Sequence, residues 1–357
     1  MSKSKRNGSG AGQLLIPLIA ILLLVVFNLF RDPSFFSIGT TVNNAGTTVL
    51  AGNLISIINS ASELAILAIG MTLVTAACGG QDISVGAGAA IAGSVFVRVL
   101  KSGSTITGLS VILAFLACCI VSMLFSSFNG SLVAVFKIQP MIATLILYTC
   151  GRSIAYWING GATPQVSSPI ITSIGSFIPN VPIPTPVFIV ALVGILLSLV
   201  FRFTNLSLYT QAVGINQGAA RLNGINSTFI KLLSFILLGV CVSIAGVIGV
   251  CRLSLINHET LLLDVEMDAI LSVAIGGNSL GGGKFRIIGS VLGAYIIQML
   301  TTTLYAMKVP STDVKAYKAI VIILLVVMGS PVVKKKAGEL VSRIRGSKAG
   351  GAGKEMA

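Results

Sequence analysis

The chain has 357 residues, of which 54% are hydrophobic and only 10% are charged, whereas soluble domains carry about 25% charged residues. This deficit excludes an ordinary soluble protein, and the mean hydropathy of +0.97 indicates a chain that lies mostly inside a membrane. The net charge of +14 does not indicate a nucleic-acid partner, because the basic residues cluster at the ends of apolar segments and at the termini, as in membrane proteins.

Repeated apolar runs of about 17 to 25 residues are long enough to cross a hydrocarbon core about 30 Å thick. They predict an all-α, polytopic membrane protein with about ten transmembrane helices. The first run ends in Arg31-Asp32-Pro33 without a cleavage motif, so we expect an uncleaved first span rather than a signal peptide. The ten predicted segments are 14–30, 54–77, 83–100, 109–126, 141–158, 187–201, 232–250, 267–275, 287–305 and 317–333.

The distribution of Lys and Arg predicts the orientation of these segments. If the N-terminus is inside, more of the 24 basic residues fall in cytoplasmic than in external pieces, in agreement with the positive-inside rule. We therefore expect a cytoplasmic N-terminal tail at 1–13, a transmembrane domain at 14–333 and a basic cytoplasmic tail at 334–357.

Charged residues are rare inside the predicted spans. Glu63, Arg152 and Asp268 are the main ones, and such groups mark ion or substrate pathways by default, but three scattered groups make a poor proton relay. Asp82 precedes a span, where a carboxylate is expected to cap the helix; a direct role in transport is the open alternative. Gly86 begins a run of small residues suited to close helix packing.

Two stretches between the spans stand out. Prolines at 164–186 forbid a continuous helix there, and the orientation places this stretch outside as a stiff cap or contact surface. At 203–226 the polar sequence FTNLSLYTQAVGINQGAARLNGIN interrupts two apolar segments on the cytoplasmic side, within a loop at 203–229. We call 203–226 the polar island and expect a short helix in it, on which a partner outside the membrane docks.

The eighth predicted segment, 267–275, is too short to cross as a straight helix at 1.5 Å per residue. A broken or re-entrant element is expected there, since such backbone is tolerated where it is buried in protein or lines a cavity. An Ala-Ile-Leu triplet at 65–67 precedes a glycine pair at 79–80, and the same triplet at 269–271 precedes a pair at 276–277. This likeness suggests a parallel internal repeat, and many transporter folds contain internal repeats.

The glycine-rich stretch 276–284 superficially resembles a phosphate-binding loop, but Asn278 and Phe285 occupy places where that motif needs Gly and Ser or Thr. We therefore expect no nucleotide bound by this chain. No nucleophile–base pair stands out, so we assign no catalytic residue. Because His258 is the single histidine, a histidine-rich metal site is impossible, and we assign no metal or other cofactor.

Three stretches together resemble the permease subunits of bacterial ABC importers for monosaccharides, the ribose/galactose/xylose-type family. They are GGQDISVG at 79–86, the part of the polar island at 212–226, and the segment at 266–284, which holds EMDAI, a glycine pair and SLGGGK. A weaker match, KIQPMIATL, lies at 137–145. The resemblance covers roughly residues 55 to 330. The Lys284-Phe285 pair, with 137–140 and 296–298, looks most similar to permeases of galactofuranose-type importers.

This resemblance implies that two permease chains, identical or different, form a translocation path through the bacterial cytoplasmic membrane. Two ATPase subunits would sit beneath them and bind the ATP, and an extracytoplasmic binding protein would deliver the sugar. An ion-gradient-driven secondary carrier is the alternative.

By the same resemblance, the polar island would be the segment that contacts the ATPase. Gln217 and Gly218 stand where the family usually has acidic residues, Gln81 replaces a usual apolar residue, and Phe285 a usual glycine. The predicted ATPase-coupling residues are Val213, Gly214, Asn216, Ala219, Ala220, Arg221 and Gly224; the structural or translocation-path candidates are Asp82, Ser84, Gly86, Glu266, Asp268, Gly276 and Gly277.

Overall fold

The computed structural model describes residues 11–42, 48–103, 105–178 and 181–329. The predicted basic tail at 334–357, the end of the last predicted segment and most of the N-terminal tail lie outside the described residues. The helices are α1 (Ala11–Arg31), α2 (Asn53–Cys78), α3 (Val85–Leu100), α4 (Gly108–Ala134), α5 (Pro140–Ile158), α6 (Pro169–Gly175), α7 (Thr185–Phe203), α8 (Leu206–Ile215), α9 (Gln217–Leu222), α10 (Ser227–Leu253), α11 (Val265–Ile275), α12 (Ile287–Ala306) and α13 (Ser311–Gly329).

Among the described helices, six are long and apolar enough to cross a membrane by length and composition: α2, α4, α5, α7, α10 and α12. The expectation of a helical, multi-pass membrane protein is therefore confirmed. The other four predicted segments coincide with α1, α3, α11 and α13, which do not meet the same standard of length and hydropathy over their described residues. Six spans, rather than ten, are supported in this way.

Over the described residues the fold is all-helical, as predicted, apart from one short hairpin. Strands β1 (Gly39–Val42) and β2 (Thr48–Ala51) lie between α1 and α2 and pair antiparallel, with Gly39 opposite Ala51. Their threonines and valines favour extended backbone because they are β-branched. At four residues per strand, the pattern is too short to stand out beside the long apolar runs.

Helix α2 forms the centre of the bundle. Its side chains are buried without a break from Ala61 to Ala77, as expected for a helix that is apolar on all its faces. It packs against α7, α10, α11 and α12 and against α8 of the polar island. The Thr72 and Ser290 hydroxyls form a 2.6 Å hydrogen bond between α2 and α12, so this buried polar pair is satisfied.

Two prolines of the 164–186 stretch lie at the beginnings of separate helices, so no continuous helix runs through it. Pro169 is the first residue of α6, and Pro186 lies in the first turn of α7. Proline is well accommodated there because the first amides of a helix have no intrahelical partner. The seven-residue α6 packs against α10, so part of the predicted cap belongs to the bundle.

Helix α11 has 11 residues, which corresponds to about 16 Å, or roughly half of a hydrocarbon core. A non-helical segment precedes it, and this segment enters the bundle: Leu261 is buried between α3 and α10, where Cβ atoms built at Gly93 and Gly249 would both lie 2.9 Å from its side chain. A short helix that follows irregular backbone inserted into the bundle is the form expected of a broken element.

Candidate functional site

The polar island forms two short helices, α8 and α9, that fold against the ends of α2 and α10. Asn216 caps α9, because its Oδ1 accepts a hydrogen bond from the Ala219 amide at 3.0 Å, and Asn226 caps α10 in the same way through Phe229. Three apolar side chains on the inner side of the island, Leu206, Val213 and Ala220, form one buried cluster with Ile230 of α10. Two caps and this small core explain why a polar stretch folds as helices here.

Gly214 packs directly on the last turn of α2. A Cβ atom built on Gly214 would collide with the Ala76 carbonyl oxygen and would lie 2.7 Å from the Gly283 amide nitrogen. Only a residue without a side chain allows so close an approach of three backbone segments. The island, the end of α2 and the loop after α11 therefore meet at Gly214.

The loops after α2 and after α11 are also bonded to each other. The Gly283 amide donates to the Ala76 carbonyl at 3.0 Å, and Gln81 Nε2 donates to the Leu280 carbonyl at 3.0 Å. A Cβ atom on Gly79 would lie 2.8 Å from the Gly281 carbonyl oxygen. The three stretches that carried the family resemblance, which are far apart in sequence, thus form one contiguous junction.

Gln217, which replaces an acidic residue of the family pattern, connects α9 to α10. Its Oε1 accepts a hydrogen bond from Lys231 Nζ at 2.9 Å, and its Nε2 donates to the Ser227 hydroxyl at 3.1 Å. Arg221 Nε donates to the same hydroxyl at 2.8 Å. An acidic side chain could accept from Lys231 but could not donate to Ser227, so the glutamine satisfies both partners within the chain.

The seven predicted coupling residues divide by exposure. Val213 and Ala220 are buried in the inner cluster and Gly214 is half-buried, whereas Asn216, Ala219, Arg221 and Gly224 are exposed. Only the four exposed residues are accessible for direct contact with a partner. The buried residues could act only by holding the exposed ones in position. Leu222 and Ile215, which the coupling prediction omitted, have 91% and 65% of their surface exposed.

Asp82 stabilises the turn before α3 and does not occupy the N-cap position of the helix. Its Oδ1 accepts hydrogen bonds from the Ser84 amide at 2.7 Å and the Ser84 hydroxyl at 2.6 Å, and the residue at the N-cap is Ser84. The expectation that Asp82 caps the helix is corrected accordingly. Asn129 of α4 donates to the Ser84 hydroxyl at 3.0 Å, so the turn is fastened to a neighbouring helix.

Glu266 and Gly86 lie against each other at the start of α11. Glu266 is only 1% exposed, and a Cβ atom on Gly86 would collide with its Oε2 atom. That oxygen has no hydrogen-bond partner among the described residues, and an unpaired buried carboxylate oxygen is unfavourable. Gly276 approaches Gly289 of α12 equally closely at the other end of α11, and Gly277 turns the chain with φ 80.

Each of the three charged residues predicted inside spans has a different set of partners. Glu63 of α2 pairs with Arg252 of α10 at 2.7 Å, Asp268 of α11 pairs with Lys318 of α13 at 2.7 Å, and Arg152 of α5 donates to backbone carbonyls. The sequence does not reveal the two basic partners, because they lie 189 and 50 residues away from Glu63 and Asp268. Glu63 and Asp268 each tie two helices together, whereas Arg152 ties α5 to the non-helical segment before α11. The three groups are not linked to one another by the hydrogen bonds described.

A family model described as a permease component of the branched-chain amino acid transport system matches residues 53–329, the region from α2 to α13. The chain belongs to this family. The match includes the whole junction around Gly214 and both loops that meet there.

Several curated relatives of this permease carry names of sugar importers. It is 39% identical over 313 residues to the galactofuranose transporter permease protein of Escherichia coli (strain K12), covering 88% of each chain. It is 34% identical to the fructose import permease protein of Bifidobacterium longum (strain NCC 2705), over 88% of this chain and 86% of the relative. The ribose import permease protein of Escherichia coli (strain K12) is also 34% identical, over 87% of this chain and 92% of the relative. No solved structure matches this permease.

Proposed function

We propose that the chain is the transmembrane permease subunit of an ABC importer that translocates a monosaccharide across the bacterial cytoplasmic membrane. The supporting observation is that relatives aligned over most of the chain at 34 to 39% identity are named for galactofuranose, fructose and ribose. The family description names branched-chain amino acids, so the family model alone does not decide the substrate class. Galactofuranose is the first sugar to test, since its permease is the 39% identical relative.

ATP hydrolysis takes place on a separate subunit in this proposal, and the polar island transmits it. The outward apolar side chains Ile215 and Leu222 and the exposed Arg221 would contact the ATPase. Gly214 packs on the end of α2, which is the central helix of the bundle, so displacement of the island would be passed directly to α2. A further relative, 31% identical, is named as a probable ABC transporter permease.

The proposed topology has ten spans, with both termini and the island in the cytoplasm. It adds α1, α3, α11 and α13 to the six long apolar helices. A parallel repeat would relate α2 and α3 to α11 and α12: each pair is joined through two glycines, of which Gly79 has φ 63 and Gly277 φ 80. The proposed partners are two ATPase subunits, an extracytoplasmic sugar-binding protein and a second permease chain.

A carrier driven by an ion gradient is the alternative, and the charged groups argue against it. A proton or ion relay needs linked ionisable groups along a path, whereas Glu63 and Asp268 are each paired with a basic residue on another helix.

The test is reconstitution of the permease with its ATPase and binding protein in proteoliposomes. We expect uptake of galactofuranose, ribose or fructose that requires internal ATP. Uptake driven by a proton or sodium gradient without ATP would overturn the proposal in favour of the carrier.

A further inference from the structure

The segment at 257–264, which leads into α11, has an unusual backbone. We call it the inward segment. Leu262 and Asp264 have φ values of 47 and 61, in the left-handed region that residues with a side chain rarely adopt. At its start, Asn257 Oδ1 accepts hydrogen bonds from the amides of Glu259 and Thr260 at 3.0 and 3.3 Å. Such a backbone persists only where its surroundings determine it.

Arg152 of α5 donates hydrogen bonds to the carbonyl oxygens of this backbone. Its Nη1 atom lies 2.8, 3.0 and 3.2 Å from the carbonyl oxygens of His258, Glu259 and Leu261, and its Nη2 atom lies 3.4 Å from that of Leu262. One helical turn further along α5, Tyr156 packs edge-on against the His258 ring with centroids 5.0 Å apart. Two residues on a single face of α5 therefore contact the inward segment.

Arginine suits this role because its planar guanidinium offers five N–H donors in a fixed geometry. A lysine lacks the second nitrogen that reaches the Leu262 carbonyl, so it could reproduce only part of this set of contacts. The hydrogen bond to the Glu259 carbonyl is exposed and the other three are part-buried, so removing the guanidinium would leave four carbonyls to be satisfied by water. Water would solvate the part-buried carbonyls fully if the segment opened, which would also draw Leu261 out of the notch formed by Gly93 and Gly249.

We propose that Arg152 is a positioning residue for permeation: it holds the inward segment inside the bundle and thereby keeps the region beside α11 closed to sugar in the resting permease. The residue does not touch the sugar in this inference. Its function is exerted through the backbone that sets the start of α11, including the buried Glu266. The inference rests on the proposed function, because closure to sugar has meaning only in a sugar permease.

The experiment compares Arg152→Gln, Arg152→Lys and wild type, with Arg98→Gln as the matched control. Arg98 is an exposed arginine near the end of α3, and its replacement changes the charge equally. The full-length permease is assembled with its ATPase in lipid nanodiscs for hydrogen–deuterium exchange, and in proteoliposomes preloaded with radiolabelled ribose or fructose for efflux without ATP.

We expect amide exchange across 257–264 to be about tenfold faster or more in Arg152→Gln, together with ATP-independent sugar efflux. Arg152→Lys should fall between this variant and wild type, and Arg98→Gln should match wild type. Wild-type exchange and no efflux in Arg152→Gln would overturn the inference. If that variant does not assemble, Arg152→Lys decides: exchange and efflux equal to wild type would overturn the inference.

Failure of the proposed function would look different. In that case wild type would show no ATP-dependent sugar uptake, while the exchange measurement, which needs no sugar, would still decide whether Arg152 holds the segment.

Discussion

The backbone amide of Gly283 donates a 3.0 Å hydrogen bond to the carbonyl oxygen of Ala76. This bond joins the loop after α11 to the last turn of α2, and Gly214 of the polar island packs against both residues. A segment on the proposed cytoplasmic side is therefore in direct contact with the central helix of the bundle and with the loop that follows the 11-residue α11.

Gly214→Val tests whether this contact transmits motion. Any side chain at Gly214 would collide with the Ala76 carbonyl, so the island should be pushed away from α2. We expect sugar-stimulated ATP hydrolysis and uptake to fall by about tenfold or more, since overpacking typically costs about 1–3 kcal/mol. Gly218→Ala is the control, because Gly218 is exposed. Unchanged uptake in Gly214→Val would contradict a coupling role for the contact.

Leu222→Ser tests the outward surface of the island. Leu222 is 91% exposed, so the change should barely affect the stability of the permease, because surface substitutions usually lie within about 0.5 kcal/mol. We expect weaker ATPase binding, measured by co-purification and titration of the ATPase subunit. Ile183→Ser, on the proposed external side and 43% exposed, should bind the ATPase as wild type does. Equal binding by both variants would place the docking surface elsewhere.

Asp82→Asn and Asp82→Ala separate a structural role of this carboxylate from a direct role of its charge. Asparagine keeps an oxygen that can accept from the Ser84 amide and hydroxyl, whereas alanine leaves both without that partner. We expect Asp82→Asn to retain uptake, and Asp82→Ala to lower the free energy of unfolding by about 1–3 kcal/mol. Loss of uptake in a stable, correctly assembled Asp82→Asn permease would instead show that transport needs the charge.

Two ion pairs between the α11 region and α13 form a matched comparison. In the Asp268–Lys318 pair the side chains are 21% and 17% exposed, and in the Asp264–Lys315 pair 42% and 67%. Asp268→Asn should therefore destabilise the permease by about 1–3 kcal/mol, because it leaves a poorly solvated ammonium group.

Asp264→Asn should cost less than about 1 kcal/mol, since exposed pairs contribute little. Thermal unfolding in detergent measures both variants, and the Lys318→Met variant completes a double-mutant cycle. Equal effects of the two asparagine substitutions would contradict a buried tie between α11 and α13.

The positions of the helices could be predicted because long apolar runs with Gly, Pro and charged boundaries are local signals. Even the short α11 was anticipated from the length of its apolar run. The β1–β2 hairpin was missed because four residues per strand carry too little pattern. The split of the 203–226 stretch into α8 and α9 depends on the Asn216 cap. This cap is also a local feature, but the sequence pattern predicts a single short helix there.

The contacts that define the site could not be predicted in the same way. The acceptors of Arg152 are backbone carbonyls, so no residue type at 258 or 259 reveals them. The partner of Asp268 is Lys318, 50 residues away, and only the fold brings the two together. The family resemblance identified the stretches around Gly79, Gly214 and Gly283, but it did not show that their backbones touch.

The most direct test of the proposed function is sugar uptake by proteoliposomes that hold the permease, its ATPase and an external binding protein loaded with galactofuranose, ribose or fructose. We predict uptake that requires ATP inside the vesicles, disappears when the ATPase is omitted and falls in Gly214→Val but not in Gly218→Ala. Uptake that persists without ATP and follows an imposed proton or sodium gradient would contradict the assignment.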